Sequence, residues 1–358
     1  MKFKRFKSGN NFSIGVELEL RVLDKTNLLP INEYEYIISK IDKKFKNNIT
    51  KEFLDSMLEI NTPVFYDEKQ LILYLKEIIS NINGILKNKN LLLQTNGTYA
   101  QKCTNINISD NKRYKEIYDE HKALLKNFSI CGTHVHIGFE DFEKALKAYN
   151  YSIYYLPLFV ALSASSIYYD GEDTGIHSFR TKIFERLPKA SIPEYFDTFE
   201  QMQNLYNLLE DSEVINSTKD VWWDVRIQPE LKTLEFRVCD ASNDFDRLEL
   251  IITLFKLISK LSQNEELIKM PMQILKQNLW SATRYSMDGK MITKNGVVKI
   301  RKMLKDIIKK GLEISFYDKQ SYDKAIKIVE DKSISQQMIE LYKETKDLKK
   351  IEELGVFK

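Results

Sequence analysis

The most regular pattern in the chain is an alternation of apolar and polar residues in short segments. Three segments show it most strictly: residues 14–22 (IGVELELRV), residues 131–139 (CGTHVHIGF) and Thr233–Asp240 (TLEFRVCD). Residues 57–63 (MLEINTP) and 223–228 (WDVRIQ) alternate in the same way. Because successive side chains of a strand point to opposite faces, each segment predicts a strand with one apolar and one polar face.

Other parts of the chain carry helical signals. Apolar residues at helical spacing predict a surface helix over 67–89, and Asp141 is a suitable start for a second helix. Ser191, followed three residues later by Glu194, resembles a capping box and predicts a helix through about residue 210. A further helix is predicted to begin near residues 243–246. From about residue 295 onward the sequence is lysine-rich and helical in period.

The alternation of the strands also predicts the fold class. Parallel strands are covered on both faces and read as continuous apolar runs, whereas these segments alternate as an antiparallel sheet with one open face does. We therefore expect an α+β fold, a curved and mainly antiparallel sheet with helices packed on one face and the active site on the other. We expect a single catalytic domain over 1–358, with the helical segment 295–358 packed on it.

Composition and charge exclude several classes of protein. Lys and Arg total 54 against 51 Asp and Glu, and the two signs are interspersed, which argues against nucleic acid as a partner. The three cysteines form no CxxC pair, so a disulfide framework is not expected and a cytoplasmic location is predicted. Residues 149–169 contain no charge over a length that could cross a bilayer. Since Pro157 and several Ser and Tyr interrupt this stretch, we predict a central helix buried by protein, and no membrane partner.

The polar faces of the predicted strands carry side chains of the types that bind metal ions and phosphate groups. We call this set the polar wall: Glu17, Glu19, Glu59, Glu235, His134, His136, Arg226 and Arg237. Carboxylates with imidazole support suit divalent cations, which often share their ligands with substrate phosphates. A guanidinium group binds phosphate or carboxylate through paired hydrogen bonds. Acids and arginines on one face therefore indicate a nucleotide with its metals.

The order of the motifs resembles that of a known family. GVELELR, LEINTP, CGTHVHIGF, the run over residues 156–188, WWDVR and TLEFRVCDA are similar to the motifs of the carboxylate-amine ligase family, the type 2 glutamate-cysteine ligases. The resemblance covers most of the chain up to about Arg284. It implies a catalytic fold like that of glutamine synthetase and guanido kinases. It also implies an ATP-dependent ligation of a carboxylate, typically the γ-carboxylate of glutamate, to the amine of an amino acid such as cysteine.

The same resemblance implies an acyl-phosphate intermediate, Mg²⁺ or Mn²⁺ as cofactor, and a homodimer. The metal ligands that it implies are Glu17, Glu19, Glu59, His134 and Glu235. The catalytic residues that it implies are Arg237 and Arg226, on the phosphate side, with Glu235. The substrate-binding residues that it implies are Arg180, Glu185, His136 and Arg284, the last in a motif (NLWSATRY) after which Ser286 replaces the usual glycine. The motifs contain no obvious base for the amine, which leaves water, phosphate or an acid such as Asp240 for that step.

Two other functions fit some of these residues. The HxH strand could hold zinc in a hydrolase, with Cys131 or Cys239 completing a tetrahedral site. The alternation, however, places Cys131 on the packing face, opposite His134. The chain could also be a catalytically silent member of the fold that binds a nucleotide or an amino acid.

Overall fold

The computed structural model describes residues 3–102 and 107–358, so Cys103 lies outside the described residues. The strands are β1 (Ile14–Asp24), β2 (Ile49–Lys51), β3 (Met57–Asn61), β4 (Leu91–Gln94), β5 (Gly132–Gly138), β6 (Tyr168–Tyr169), β7 (Glu172–Asp173), β8 (Ala190–Ser191), β9 (Trp222–Trp223), β10 (Val225–Gln228), β11 (Thr233–Asp240), β12 (Lys290–Thr293) and β13 (Gly296–Lys299). The α-helices are α1 (Tyr34–Lys40), α2 (Glu68–Lys87), α3 (Lys112–His121), α4 (Phe142–Ile153), α5 (Leu156–Ser163), α6 (Phe179–Phe184), α7 (Phe199–Asp211), α8 (Phe245–Leu261), α9 (Met272–Tyr285), α10 (Ile300–Glu313), α11 (Lys319–Glu330), α12 (Ile334–Thr345) and α13 (Leu348–Leu354).

The central feature is a seven-stranded sheet in the order β10-β11-β5-β1-β3-β2, with β4 also paired to β1. Every pair in it is antiparallel, which confirms the predicted sheet type. The alternating segments of the sequence form β1, β3, β5, β10 and β11. Their apolar side chains are buried, and α4, α5 and α8 pack against this face. The α+β class with helices on one face of the sheet is therefore confirmed.

A stack of aromatic rings joins the sheet to these helices. The ring centroids of Phe159 on α5 and Phe255 on α8 are 3.6 Å apart, and those of Phe255 and Phe236 on β11 are 3.9 Å apart. All three side chains are buried. Stacked and fully buried rings contribute more than their area alone, so they fix the apolar face of β11 against the helices. The opposite face of β11 is thereby directed away from the core.

The helix starts were predicted with mixed success. Asp67, Asp141 and Asp244 each cap a helix by accepting a backbone N–H, as α2, α4 and α8 show. The capping box at Ser191 and Glu194 was wrong, because α7 begins at Phe199 with Thr198 as its cap. Ser191 instead lies in β8, where it pairs with Trp223 of β9.

The uncharged stretch was expected to form one central helix, and this was wrong in detail. The described chain forms α4 and α5 with a break between them, followed by the short strand β6. Pro157 lies in the first turn of α5, where backbone N–H groups have no partner within the helix, so its missing N–H costs no hydrogen bond. All residues of α5 are buried by protein. Among the described residues, no helix is both long and apolar enough to cross a bilayer.

The segment 295–358 contains the end of the hairpin β12–β13 and then α10 to α13. Its last helix is not an outer layer, because Glu352 of α13 is completely buried. Its carboxylate accepts hydrogen bonds from the amide of Gln94, at 2.7 Å, and from the backbone N–H of Ala100. Gln94 in turn accepts from Arg21 of β1, at 3.1 Å. The C-terminus is thus joined to the strand that carries Glu17 and Glu19. The assignment of the whole chain to one domain stays a prediction.

Replacement of Glu352 by alanine tests this connection. Glu352→Ala leaves the Gln94 amide and the Ala100 N–H buried without an acceptor, which should lower the free energy of unfolding by about 1–3 kcal/mol or more. Urea unfolding followed by circular dichroism measures the change. Glu353→Ala is the matched control, because Glu353 is exposed and its carboxylate forms a surface ion pair with Lys350. Equal stability of the two variants would contradict the assigned role of Glu352.

Candidate active site

The open face of the sheet lines a cavity of about 510 Å³. The strand register brings the polar wall together there. Glu17 on β1 lies opposite His134 on β5, and Glu19 lies opposite Glu59 on β3. The residues of the polar wall that line the cavity are Glu17, Glu19, Glu59, His134, His136, Arg226 and Arg237. Side chains from distant parts of the sequence therefore converge on one concave surface, as the ligase hypothesis required.

Glu17 is held between the two histidines of β5. One carboxylate oxygen lies 2.8 Å from Nδ1 of His134 and the other lies 3.1 Å from Nε2 of His136. Burial alone would raise the pKa of Glu17, but the hydrogen bonds to His134 and His136 outweigh it and lower the pKa. Burial would lower the pKa of His136, yet the hydrogen bond to Glu17 leaves it raised. Glu17 is thus an ionised carboxylate with fixed orientation.

Glu235 lies beneath the cavity between two arginines. Its carboxylate accepts from Nε of Arg226 at 2.7 Å and from Nη2 at 3.1 Å, and it also pairs with Arg237. Burial alone would raise the pKa of Glu235, but the charges of Arg226 and Arg237 outweigh it and hold the pKa well below its usual value. With both oxygens occupied by arginine, Glu235 acts first as the anchor of the two guanidinium groups. Its implied role as a metal ligand stays a prediction.

Glu52 joins Glu19 and Glu59 of the polar wall in a second group of acids, and the sequence pattern did not predict it. Glu52 lines the cavity with Glu19 and Glu59. Burial and the nearby charge of Glu19 raise the pKa of Glu52 to about 8. Burial and the charge of Glu52 also raise the pKa of Glu59. The sequence did contain a weak signal for Glu52. Thr50 and Glu52 are two residues apart and so fall on one face of a strand, and Thr50 pairs with Glu59 in the sheet.

These acids and histidines fit a divalent cation. Three groups of side chains have potential ligand atoms within 4.8 Å of one another: Glu17 with Glu59 and His134, Glu17 with His136 and Glu235, and Glu19 with Glu52 and Glu59. His134 provides a separate indication, because its Nε2 is buried and has no hydrogen-bond partner among the described residues. Carboxylate oxygens with an imidazole nitrogen form a donor set for Mg²⁺ or Mn²⁺. A cation there would also offset the repulsion that raises the pKa of Glu52 and Glu59.

A series of aromatic side chains also lines the cavity and was not predicted. Phe53, Phe128, Phe184 and Trp222 form a continuous series of ring contacts, with centroid distances of 5.8, 5.8 and 6.3 Å. They come from separate loops and from α6 and β9. Tyr114 adds a further ring beside Phe53. Such a wall can bind flat or apolar groups and limit the access of water.

The implied substrate-binding residues lie in different places. His136 lines the cavity, whereas Arg180, Glu185 and Arg284 do not. Arg180 is buried on α6 and lies next to the wall, with its guanidinium 3.4 Å from the carbonyl oxygen of Arg237. Glu185 is exposed and pairs with Lys182. The roles implied for these side chains stay predictions.

Arg284 lies in the last turn of α9, beside Gly175. Ser286, which follows α9, has a φ of 50°. This is the left-handed region that glycine adopts at little cost, which explains why a glycine is usual at this position. The Ser286 hydroxyl donates to the carbonyl of Ala161, at 2.8 Å, and so contributes to holding this turn.

The zinc alternative loses its proposed cysteine ligands. Cys131 and Cys239 are completely buried, and burial raises the pKa of each thiol to about 12. Neither belongs to a potential metal-binding group in the part of the chain that the structure describes. A protonated thiol is a poor zinc ligand. The HxH strand instead contributes to a site of carboxylates.

Metal binding should depend on pH. Carboxylates must be ionised to bind a cation, and the pKa of Glu52 is raised to about 8, so affinity for Mn²⁺ should increase between about pH 6 and pH 9 with release of protons. Calorimetry in buffers of different ionisation enthalpy measures both quantities. Glu52→Gln should weaken binding and reduce the proton release. Glu116→Gln, at an exposed position of α3, is the control. A Mn²⁺ affinity that is constant over this range would contradict the prediction.

The position of Arg180 depends on Gly132. A Cβ atom at residue 132 would lie 2.0 Å from Nη2 of Arg180, so Gly132→Ala must displace this buried guanidinium. We expect a loss of stability of about 1–3 kcal/mol, since overpacking moves a buried charge from its contacts. Thermal unfolding measures it. Gly84→Ala, on the exposed surface of α2, is the control. A Cβ atom at residue 84 would lie more than 4 Å from every described atom outside its neighbours and its own helix backbone, so the change should stabilise the protein slightly. An equal effect of both changes would contradict the close packing at Gly132.

Comparison with known proteins agrees with this geometry. The profile of glutamate-cysteine ligase family 2 matches residues 13–350. A protein of Solibacter usitatus that carries the provisional name glutamate–cysteine ligase 2 is 30% identical over 352 residues, which cover 95% of this chain and 91% of that protein. One of Roseiflexus sp. with the same provisional name is 29% identical over 350 residues, covering 94% and 92% of the two chains.

Solved structures show the same fold at low identity. The glutamate–cysteine ligase of Francisella tularensis, in complex with AMP, has a TM-score of 0.70 and 12% identity, covering 98% of this chain and 89% of that chain. The bifunctional glutathione synthetase of Pasteurella multocida has a TM-score of 0.71 and 13% identity, covering 96% of this chain and 52% of that chain. The family match over nearly the whole sequence, together with the cavity, identifies the function class. The chain belongs to glutamate-cysteine ligase family 2 and is an ATP-dependent carboxylate-amine ligase.

Proposed function

We propose that the chain joins the γ-carboxylate of L-glutamate to the amine of an amino acid, with L-cysteine as the leading acceptor, through an acyl phosphate. The observation that carries this proposal is the juxtaposition of two arginines with a group of carboxylates in one cavity. Arg226 and Arg237 lie beside the acids, and both line the cavity. A ligase of this kind needs positive charge for phosphates and ionised oxygens for the cation that accompanies ATP.

The buried charges around Glu235 leave positive charge available to a substrate. Two guanidinium groups share one carboxylate, so this group carries an excess of one positive charge. Arg237 also has a buried Nε with no hydrogen-bond partner among the described residues. A buried guanidinium with an unused donor is suited to an anionic oxygen of the transferring phosphoryl group or of glutamate.

The proposed reaction has two chemical steps. An oxygen of the glutamate γ-carboxylate attacks the γ-phosphorus of ATP, and ADP leaves. The amine nitrogen then attacks the acyl carbon, and phosphate leaves with the electron pair of the broken C–O bond. Arg226 and Arg237 oppose the negative charge that develops on oxygen in both steps, and Glu235 holds them in position.

The acids that line the cavity would hold Mg²⁺ or Mn²⁺. When bound, such a cation neutralises part of the negative charge on the phosphate oxygens of the nucleotide. Glu17, Glu19, Glu52, Glu59 and His134 are the residues that we assign to this role, on the basis of their grouping. The aromatic wall formed by Phe53, Phe128, Phe184 and Trp222 limits water around the acyl phosphate, which water would otherwise hydrolyse.

We retain the homodimer as a prediction, which sedimentation velocity would test.

A phosphate-release assay tests the proposed function. With ATP, Mg²⁺ and glutamate, release of phosphate should depend on an added amino acid, and a panel of amino acids identifies the acceptor. Arg237→Lys keeps the charge but loses the guanidinium fork, so the rate should fall about a hundredfold or more, equivalent to roughly 3 kcal/mol of barrier. Arg186→Lys, at an exposed position, is the matched control.

Two results would contradict the proposal. ATP binding in a thermal-shift assay without turnover for any acceptor would favour the silent binding protein. Phosphate release that does not require glutamate would contradict glutamate as the carboxylate substrate. Mass spectrometry of the product separates γ-glutamyl dipeptides from other amides.

A further inference from the structure

One more carboxylate, that of Asp224, lies beside Arg237 at the border of the cavity, outside the residues that line it, and the mechanism above does not use it. Asp224 directly precedes β10, and its backbone is fixed on both sides. Its N–H donates to the carbonyl of Ser191 at 3.0 Å, and its carbonyl accepts from the N–H of Arg237 at 2.8 Å. These bonds hold Asp224 between β8 and β11.

The register places Asp224 next to the proposed reaction centre. In the β10–β11 pair Arg226 lies opposite Glu235, and Val225 lies opposite Phe236. The bond from Arg237 to Asp224 continues this pairing by one residue, so Asp224 lies opposite Arg237. Side chains that are directly opposite in an antiparallel pair share one face and lie close together. The Asp224 carboxylate therefore lies on the same face as the Arg237 guanidinium.

The polar atoms in this region are incompletely paired. Oδ2 of Asp224, Nε of Arg237 and Nε of Arg180 are all buried and have no hydrogen-bond partner among the described residues. Most buried polar groups in proteins are paired, so three such atoms in neighbouring side chains indicate a ligand with both donors and acceptors. An amino-acid amine beside a carboxylate or acyl phosphate has both.

Asp240, the acid that the sequence offered as a possible base, is fully engaged. One of its oxygens accepts from the N–H of Ser165 at 3.0 Å and from the hydroxyl of Ser166 at 2.6 Å. The other accepts from the hydroxyl of Ser178 at 3.0 Å. Its carboxylate therefore has a structural role, whereas Asp224 has an oxygen available.

We propose that Asp224 is the general base that takes the proton from the ammonium group of the acceptor. This inference rests on the proposed function, since it needs an acyl phosphate in the cavity. The ammonium nitrogen first gives a proton to Asp224 and regains its lone pair. That pair forms the bond to the acyl carbon, and phosphate leaves with the electrons of the C–O bond. The remaining positive charge on nitrogen is lost as a second proton to the departing phosphate or to water.

The charges around Asp224 suit this role. Burial and the charge of Glu185 raise the pKa of Asp224 to about 7, against the lowering effects of Arg180, Lys182 and Arg237. Arg180 and Lys182 come from α6, Glu185 directly follows it, and Arg237 comes from β11. A base is most effective when its pKa lies near the working pH. At neutral pH a large fraction of Asp224 is ionised and can accept a proton.

The test compares two nucleophiles. Hydroxylamine is largely unprotonated at neutral pH, so it can trap the acyl phosphate as a hydroxamate without a base. Asp224→Asn should reduce dipeptide formation by about a hundredfold or more, while hydroxamate formation from ATP and glutamate stays within about threefold of the wild type. Equal losses with both nucleophiles would overturn the role as a base. Absence of hydroxamate in the wild type would instead overturn the proposed function, and this role with it.

A second variant keeps the test decisive if Asp224→Asn does not fold. Because the charge of Glu185 raises the pKa of Asp224, Glu185→Gln should lower that pKa. The rate of dipeptide formation should rise with pH through about 7 in the wild type, and this rise should move to lower pH in Glu185→Gln. Hydroxamate formation should show no such shift. An unchanged pH profile for dipeptide formation would overturn the assignment of Asp224.

Discussion

Repulsion between carboxylates on the open face of the sheet is the constraint on which the rest of the site depends. The carboxylates of Glu19, Glu52 and Glu59 lie within a few ångströms of one another. Burial and their mutual repulsion raise the pKa of Glu52 and of Glu59. Such a group costs free energy unless a cation accompanies it. The acids are nevertheless held together, because their strands are fixed by the apolar face on the opposite side. The buried apolar core on that face therefore maintains a site that is unfavourable without its ligands.

The positive charges of the site are separated from these acids within the cavity. Arg226 and Arg237 are anchored by Glu235 at one end of the cavity, whereas the free acids lie at the other. Burial keeps these pairs away from the screening of water, so each charge acts strongly on its neighbours. A substrate that carries phosphate at one end and is accompanied by a divalent cation complements this separation. The same asymmetry places Asp224 close to the arginines, where an acid can be partly ionised at neutral pH.

The sequence predicted the strands well and the helix boundaries less well, for identifiable reasons. A period of two residues is retained in every strand of the wall because one face must stay apolar, so β1, β5 and β11 could be read directly. The capping pattern at Ser191 failed because a parallel pairing with Trp223 takes up that backbone, and no local signal reports a partner so distant in the sequence. Glu52 was missed because it follows a strand of only three residues, which gives too little alternation to recognise.

The sequence by itself determined the type of sheet, the face on which the acids and arginines lie, and the family to which the chain belongs. These follow from local alternation and from motif order, which need no knowledge of distant contacts. Only the tertiary structure decided which charges meet. It paired Glu17 with two histidines, placed Glu235 beneath two arginines, left an oxygen of Asp224 without a partner among the described residues and buried Glu352 of the last helix against β4 and the segment after it. The reason is physical, because the pKa and availability of a buried group depend on neighbours that the fold brings from elsewhere in the chain.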